Sequence, residues 1–249
     1  MISSDIMRLL CEGGDDVIPI LYEDKNAVVA VKPAGMLSQP DAKTAKSAPT
    51  ALTEVEKHLG SKPGTVGMIT RLDAPVGGIM VFGKNPQATA KLQNALASGE
   101  IIKEYLAVAS GIIAEKSGVM VDYLARENAA GLTKVAYKGA PGAKYAELRY
   151  EVLGEHDTDF GMSSLMRIRL ITGRTHQIRA QLASRGLPII GDRRYGSADS
   201  GTGAGIALYS YRVTIPRDKG GIVTLASLPC VEYPWSAFGE CFPGADTIL

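Results

Sequence analysis

The residues best suited to chemistry fall in three short runs. Arg71-Leu72-Asp73 places a carboxylate next to a guanidinium, at the end of a Gly-containing loop (Gly64, Gly67) and just before the apolar run Gly78 to Phe82. A carboxylate carried at the mouth of a rigid strand is well placed to act as nucleophile or base. Lys103-Glu104-Tyr105 opens a second apolar run and offers an aromatic face. Thr172-Gly173-Arg174-Thr175-His176-Gln177-Ile178-Arg179, followed by Gly186 to Asp192, offers several cations around a tight strand-to-helix turn, whose amides would favour an anion. Taken singly, each has a bland reading as well: a surface ion pair, a packed tyrosine, a structural turn with solvated arginines.

The elements that must position these runs follow from periodicity. Val17 to Tyr22 and Ala27 to Val31 read as strands joined by a turn, and Pro33 with Gly35 ends the second. Gln39 to Pro49 reads as a loop. Ala51 to Leu59 reads as a helix with Leu52, Val55 and Leu59 on one face. Gly78 to Phe82 has the continuous apolar character of a strand buried on both faces. Asn85 and Pro86 start a helix whose stripe is Ala88, Leu92, Ala95 and Leu96, and Gly99 closes it. Ile102 to Ala109 is a strand, and Val119 to Ile171 is mostly strands. In the last of these Met166, Ile168 and Leu170 alternate with Arg167 and Arg169, so an apolar face and a cationic face are expected. Thr175 is the expected cap of a helix with Ile178 and Leu182 on one face, ending at Gly186. Ile206 to Ile215 and Ile222 to Leu225 are late strands, with a loop at Asp199 to Gly205. The fold class expected is α+β, with a mainly antiparallel central sheet and flanking helices. The domain plan expected is a short extension over 1–16 and a single catalytic domain over 17–249.

Composition narrows the setting. The chain has 249 residues, 45% hydrophobic and 21% charged, as in an ordinary globular protein. No signal peptide or membrane-length apolar run is apparent, so a cytoplasmic protein is expected. Cys11, Cys230 and Cys241 have neither the number nor the spacing of a disulfide framework or zinc site, and His58, His156 and His176 are scattered. No metal is expected. The net charge is +1, but it is uneven. Gly161 to Tyr195 holds seven arginines (167, 169, 174, 179, 185, 193, 194) against one acid, Asp192, a net of +6. The rest, with twenty cations and twenty-five acids, carries −5. Such asymmetry points to a polyanionic partner at that segment.

In order and spacing these runs resemble the RluA-type RNA pseudouridine synthases. The matching pieces are ILYEDKNAVVAVKPAG, RLDAPVGGIMVFGKN, KEYLAVASG, LITGRTHQIRAQLASRGLPIIGDRRYG and ALYSYRVTIP, from about Ile20 to Pro216. The resemblance implies that Asp73 is the catalytic carboxylate, that Arg71 helps displace the target base, and that Tyr105 lies against the uracil. It further implies that Ile178 supplies an apolar contact, Arg179 a basic partner for the catalytic Asp, and Arg174 a contact to RNA backbone. It implies rRNA or tRNA as substrate, and because the rearrangement takes no electrons or groups from outside, no cofactor is expected. Only sixteen residues precede the first strand, too few for the small basic RNA-binding domain that some relatives carry there, so RNA recognition by the catalytic domain itself is expected, as is a monomer. Three positions depart from the family pattern: Thr70 where His is frequent, Val76-Gly77-Gly78 where Thr-Ser-Gly is frequent, and Tyr209-Ser210 where His-Ala is frequent. A non-catalytic RNA-binding protein on the same fold and a nucleoside glycosidase using Asp73 are the competing readings.

Overall fold

The computed structural model describes residues 18–41, 48–127, 131–197, 205–230 and 232–243. The first half contains β1 (Ile20–Glu23), β2 (Ala27–Lys32), α1 (Ala51–His58), β3 (Gly67–Met68), β4 (Gly77–Gly83) and α2 (Pro86–Ala97). Then come β5 (Ile102–Ser110), β6 (Ser117–Glu127), β7 (Leu132–Ala136), β8 (Lys144–Thr158), β9 (Gly161–Leu170) and α3 (Gln177–Ala183). Last are β10 (Leu208–Pro216) and β11 (Ile222–Ala226), with short 3-10 turns at Arg193–Tyr195 and Trp235–Cys241. Every strand pair with a described register is antiparallel except β4 with β10, which is parallel. The α+β class with mainly antiparallel pairing is therefore what the chain adopts.

The chain groups into two compact units. The first holds the described residues of Met1–Lys103 with Tyr209–Cys230. Its strands run in the order β1-β2-β4-β10, with β3 on β4 and β11 on β10. Val29, Val31, Ile79, Val81, Leu92, Val213 and Ile215 form its core, and all of β2 and β4 is buried. A strand covered on both faces needs apolar residues at every position, which is why neither strand alternates. Asn85 caps α2 as expected: its side chain accepts from the amide of Ala88 at 2.8 Å. In α1 the cap is Thr50, paired with Thr53 in a capping box, and Glu56 is buried because it accepts from the Gly64 amide at 2.7 Å.

The second unit holds the described residues of Glu104–Leu208 with Val231–Leu249. Its strand order is β5-β9-β8-β6-β7. Helix α3 is buried along Gln177 to Leu182, with Ala180 against Leu124 and Ala146. The structure corrects three expectations. Helix α3 is capped at His176, in a left-handed conformation (φ 51), rather than at Thr175. The first strand starts at Ile20; Ile18 and Pro19 lie outside it, and Val17 lies outside the described residues. The alternating Arg face of β9 is not uniformly open: Arg167 is buried, its guanidinium donating to Glu151 directly across in β8 at 2.5 Å. The 1–16 extension, Cys11, and most of the expected loops at Gln39–Pro49 and Asp199–Gly205 lie outside the described residues.

Candidate active site

Asp73 sits on the turn that leads into β4, and the backbone on both sides of it is fixed in place. Before it, the buried Ser38 hydroxyl donates to the Leu72 carbonyl (2.6 Å) and accepts from the Leu72 amide (3.1 Å). Asp73's own carbonyl accepts from the Val76 amide at 3.0 Å. After it, the Ala74 carbonyl accepts from the Gly35 amide (2.8 Å) and from the Lys32 ammonium (3.2 Å). Thr70, in the position where the family often has His, accepts from the Val81 amide at 2.9 Å and ties the approach to the turn onto β4. The Asp73 side chain is half-buried, and Arg71 is exposed. A half-buried carboxylate on a turn braced by these hydrogen bonds can hold one orientation toward a reacting atom, which is what nucleophilic or base catalysis requires.

Lys32, the last residue of β2, escaped the sequence reading. Its side chain is fully buried, and its ammonium donates to the carbonyls of Pro33 (2.9 Å) and Met36 (2.8 Å) as well as Ala74. Burial pulls its pKa down from 10.5 to about 8, against the attraction of the Asp73 charge, which pulls it up. The signal was present in the run Ala27 to Val31: a Lys directly continuing a fully buried strand must find partners or lose its charge.

The second unit presents the other expected residues. Tyr105 on β5 is buried. The turn between β9 and α3 is built around Gln177, whose amide oxygen accepts from the Thr172 hydroxyl (2.8 Å) and the Arg174 amide (3.0 Å) while its NH2 donates to the Glu147 carbonyl (3.0 Å). The Gln177 side chain thus takes the Arg174 amide, one of those expected to attract an anion. Arg174 is exposed, and its Nε donates to the Tyr145 carbonyl at 2.8 Å. Ile178 is buried on α3. Arg179 is buried in a two-pronged pair with Asp192: Nε to Oδ2 at 2.6 Å and Nη2 to Oδ1 at 2.8 Å. Its guanidinium also lies over the Tyr195 ring, 4.9 Å from the centroid. The Tyr195 hydroxyl accepts from the Thr133 amide at 2.8 Å and lies 2.9 Å from His176 Nδ1; burial raises its pKa. Asp192 and Tyr195 are therefore supporting residues that sequence reasoning passed over. A planar guanidinium gripped along one edge and stacked on a ring has a fixed direction, and directed charge discriminates between substrates.

Two of the three departures from the family pattern turn out to be in contact. Tyr209 is the register partner of Gly77, and a Cβ added at Gly77 would lie 3.2 Å from the tyrosine ring. Gly77 makes room for Tyr209, whose hydroxyl bonds Ser227 at 2.9 Å. The Ser210 hydroxyl donates to the Ile79 carbonyl at 2.9 Å.

Comparison with known proteins decides the family. The RNA pseudouridylate synthase family model matches residues 26–184, a stretch that includes Asp73, Tyr105 and Arg179. The chain belongs to the RNA pseudouridylate synthase family. It is 34% identical over 193 residues to an uncharacterized RNA pseudouridine synthase of Chlorobaculum parvum, covering 74% of this chain and 57% of that protein. It is 34% identical over 180 residues to ribosomal large subunit pseudouridine synthase D of Yersinia pestis, covering 72% and 53%. These relatives place it on the RluA-type branch that its motifs resemble. The chain spans a little over half the length of the curated relatives it matches. Among solved structures, human RNA pseudouridylate synthase domain containing 1 shares the fold, with a TM-score of 0.72, 20% identity, and coverage of 89% of this chain and 87% of that one. Among the described residues of this family member, no group of three or more His, Cys, Asp or Glu could hold a metal ion, and no helix is long and apolar enough to cross a membrane.

Proposed function

We propose that this chain isomerises uridine in RNA to pseudouridine, with Asp73 as the catalytic carboxylate. What carries the reading is that the family match spans a carboxylate on a turn braced on both sides, at Leu72 by Ser38 and at the Ala74 carbonyl by Gly35 and Lys32. In the reaction the N1–C1′ bond breaks, the uracil turns, C5 bonds to C1′, the C5 proton leaves to water, and N1 takes up a proton from water in its place. Atoms and electrons balance within the nucleotide, so the chemistry calls for no cofactor. Asp73 would attack C1′ or take a sugar proton; both routes need an ionised carboxylate near the ribose. The target base must leave its stack. We assign Arg71 to filling the space it vacates, Tyr105 and Ile178 to the faces of the extruded uracil, Arg179 to the carboxylate's charge, and Arg174 to backbone phosphate. Ribosomal or transfer RNA is the proposed substrate class, rRNA being favoured by the names of the relatives. The protein is proposed to act as a cytoplasmic monomer, as a single catalytic domain.

The test compares wild type with Asp73→Asn on rRNA and tRNA labelled with [5-3H]uridine and isolated from cells lacking the protein. Wild type should release tritium and leave pseudouridine at defined positions. Asp73→Asn should lose at least a thousandfold in rate while binding the same RNA within a fewfold, since only one oxygen is exchanged for an amide. Normal turnover by the variant refutes the assignment.

A further inference from the structure

We infer that the sheet face of the second unit turned away from α3 is a docking surface for single-stranded RNA, which stacks its bases on Tyr123 and Tyr145 and lays its phosphates against Arg149 and Arg169. Strand alternation divides β6 and β8 between two faces. Met120 and Leu124 of β6 and Ala146 and Leu148 of β8 are buried on one of them, where Ala180 of α3 packs against Leu124 and Ala146. The residues between them point the other way and are open: Val119 is 54% exposed, Val121 48% and Tyr145 39%. An antiparallel sheet with one solvated face normally puts polar side chains on it. An apolar and aromatic strip there calls for a partner.

The register sorts this face into rows. In the first, Tyr123 stands directly opposite Tyr145, with ring centroids 5.9 Å apart and planes at 74°. The Tyr145 hydroxyl also donates to Glu147. Rings braced in this way have their orientation set before a base arrives. In the next row Val121 stands opposite Glu147, whose carbonyl accepts from the amide of the exposed Ile171 at 3.1 Å. In the third, Arg149 has Val119 opposite it on one side and Arg169 on the other. Like charges directly opposite across a ladder repel, and an anion between two guanidinium groups replaces that repulsion with two charge-assisted bonds. The exposed Arg174 brings a further cation to the tyrosine row, through the bond from its Nε to the Tyr145 carbonyl. Rings interleaved with cations suit a single strand, whose bases have free faces to stack and whose phosphates need counter-charge. A duplex keeps those base faces inside its own stack. A second copy docked face to face would set the same arginines against one another. The choice of RNA among polyanions rests on the proposed function; the role of Asp73 does not enter.

The experiment uses the full chain and a short fluorescein-labelled oligoadenylate, which has no uridine to isomerise, with binding read by anisotropy. Tyr145→Ala should weaken binding by about fivefold or more. Tyr145→Phe keeps the ring and loses only the hydroxyl, and should stay within about twofold of wild type. Val121→Glu sets an acid into the middle of the face at an exposed position, and should also weaken binding by about fivefold or more. It serves as the test if Tyr145→Ala does not fold. Arg149→Gln should reduce the slope of log affinity against log salt by about 0.7. Wild-type affinity in both Tyr145→Ala and Val121→Glu overturns the inference, as does a wild-type chain that does not bind the probe. So does a chain that self-associates, comes apart on Tyr145→Ala and binds the probe unchanged, because the occupant would then be a second copy. Tritium release from the labelled rRNA and tRNA reads the proposed function separately. If wild type releases tritium while the face variants bind like wild type, the docking face alone fails. If wild type releases none while the face variants bind weakly, the docking face stands and the function is misread.

Discussion

The turn around Asp73 and the segment from Gly173 to Asp192 both hold candidate site residues still, but by opposite means. Around Asp73 the fasteners are neutral: carbonyls, amides and the hydroxyls of Ser38 and Thr70, gathered about a single buried cation, Lys32. In the second region the neutral bonds of Gln177 are joined by charges in pairs, Arg179 with Asp192 and Arg185 with Asp122, and just before it Arg167 pairs with Glu151. A buried cation that is replaced by an apolar group leaves the carbonyls it served without a donor, at about 1–3 kcal/mol for each buried acceptor. A buried pair that loses one member leaves the other stranded. Loss of a fastener therefore costs stability in both regions, through stranded carbonyls in the first and a stranded charge in the second.

The widest separation between the two regions should appear in stability. Asp192→Ala strands the buried Arg179 guanidinium and should lower unfolding free energy by about 3–5 kcal/mol, read from denaturant midpoints, whereas Lys32→Met, which strands only neutral carbonyls, should lower it by about 1–3 kcal/mol. A loss below about 1 kcal/mol for Asp192→Ala would erase the contrast. The pH response sharpens it. The folded pKa of Lys32 lies below its unfolded value, so between about pH 8 and about 10.4 the unfolded chain holds a proton that the folded chain has lost. Across that window the contribution of Lys32 to stability grows as pH rises, and the denaturant midpoint should rise with it.

RNA binding offers a smaller, cleaner division. Arg193 and Arg194 are exposed, whereas Arg167 is buried against Glu151. Replacing Arg193 and Arg194 together with Gln should reduce the slope of log affinity against log salt by about 0.7–0.9 for each phosphate that is no longer neutralised. Arg167→Met should leave the slope unchanged, in the same filter-binding titration. An equal change from Arg167→Met would mean that its charge reaches RNA despite the pairing.

The smallest effect concerns the packing of Gly77 against Tyr209. Gly77→Ala presses on the Tyr209 ring at 3.2 Å and on the Ala34 amide at 3.3 Å, and should cost about 1–2 kcal/mol. Gly77→Ala with Tyr209→His should recover part of that. Strict additivity of the two in thermal melts would show that the two departures are independent.

Much of this fold was legible because its signals are local. Asn85 with Pro86 starts a helix in any context, and an unbroken apolar run such as Gly78 to Phe82 reads as a doubly buried strand. Local periodicity misled at Arg167 and Thr175, for one shared reason: a partner distant in sequence decided the outcome. The burial of Arg167 depends on Glu151 lying opposite in the next strand, and the His176 conformation is held by Tyr195, nineteen residues on. The count of +6 over Gly161 to Tyr195 likewise overstates the charge facing solvent, because Arg167 and Arg185 answer to Glu151 and Asp122, acids outside the segment that the count leaves out. At the site, Asp73 and Arg179 were visible through motif order. Lys32, Ser38 and Asp192 were not, since their value lies in which backbone atoms and side chains they reach.

Gly78 carries a consequence for how this sequence can drift. Its backbone stands at φ +116, and an added Cβ would lie 2.3 Å from the Ser210 carbonyl oxygen and 2.6 Å from its nitrogen. No side chain fits between β4 and β10 there without parting the two strands at their parallel bridge. The position works as a ratchet. Residues on either side can be exchanged, as the altered Val76-Gly77 and Tyr209-Ser210 pairs suggest, but only in ways that keep the two backbones at that closest approach. Random mutagenesis followed by selection for folded protein should thus return glycine alone at 78, while position 77 accepts small residues whenever 209 shrinks with it.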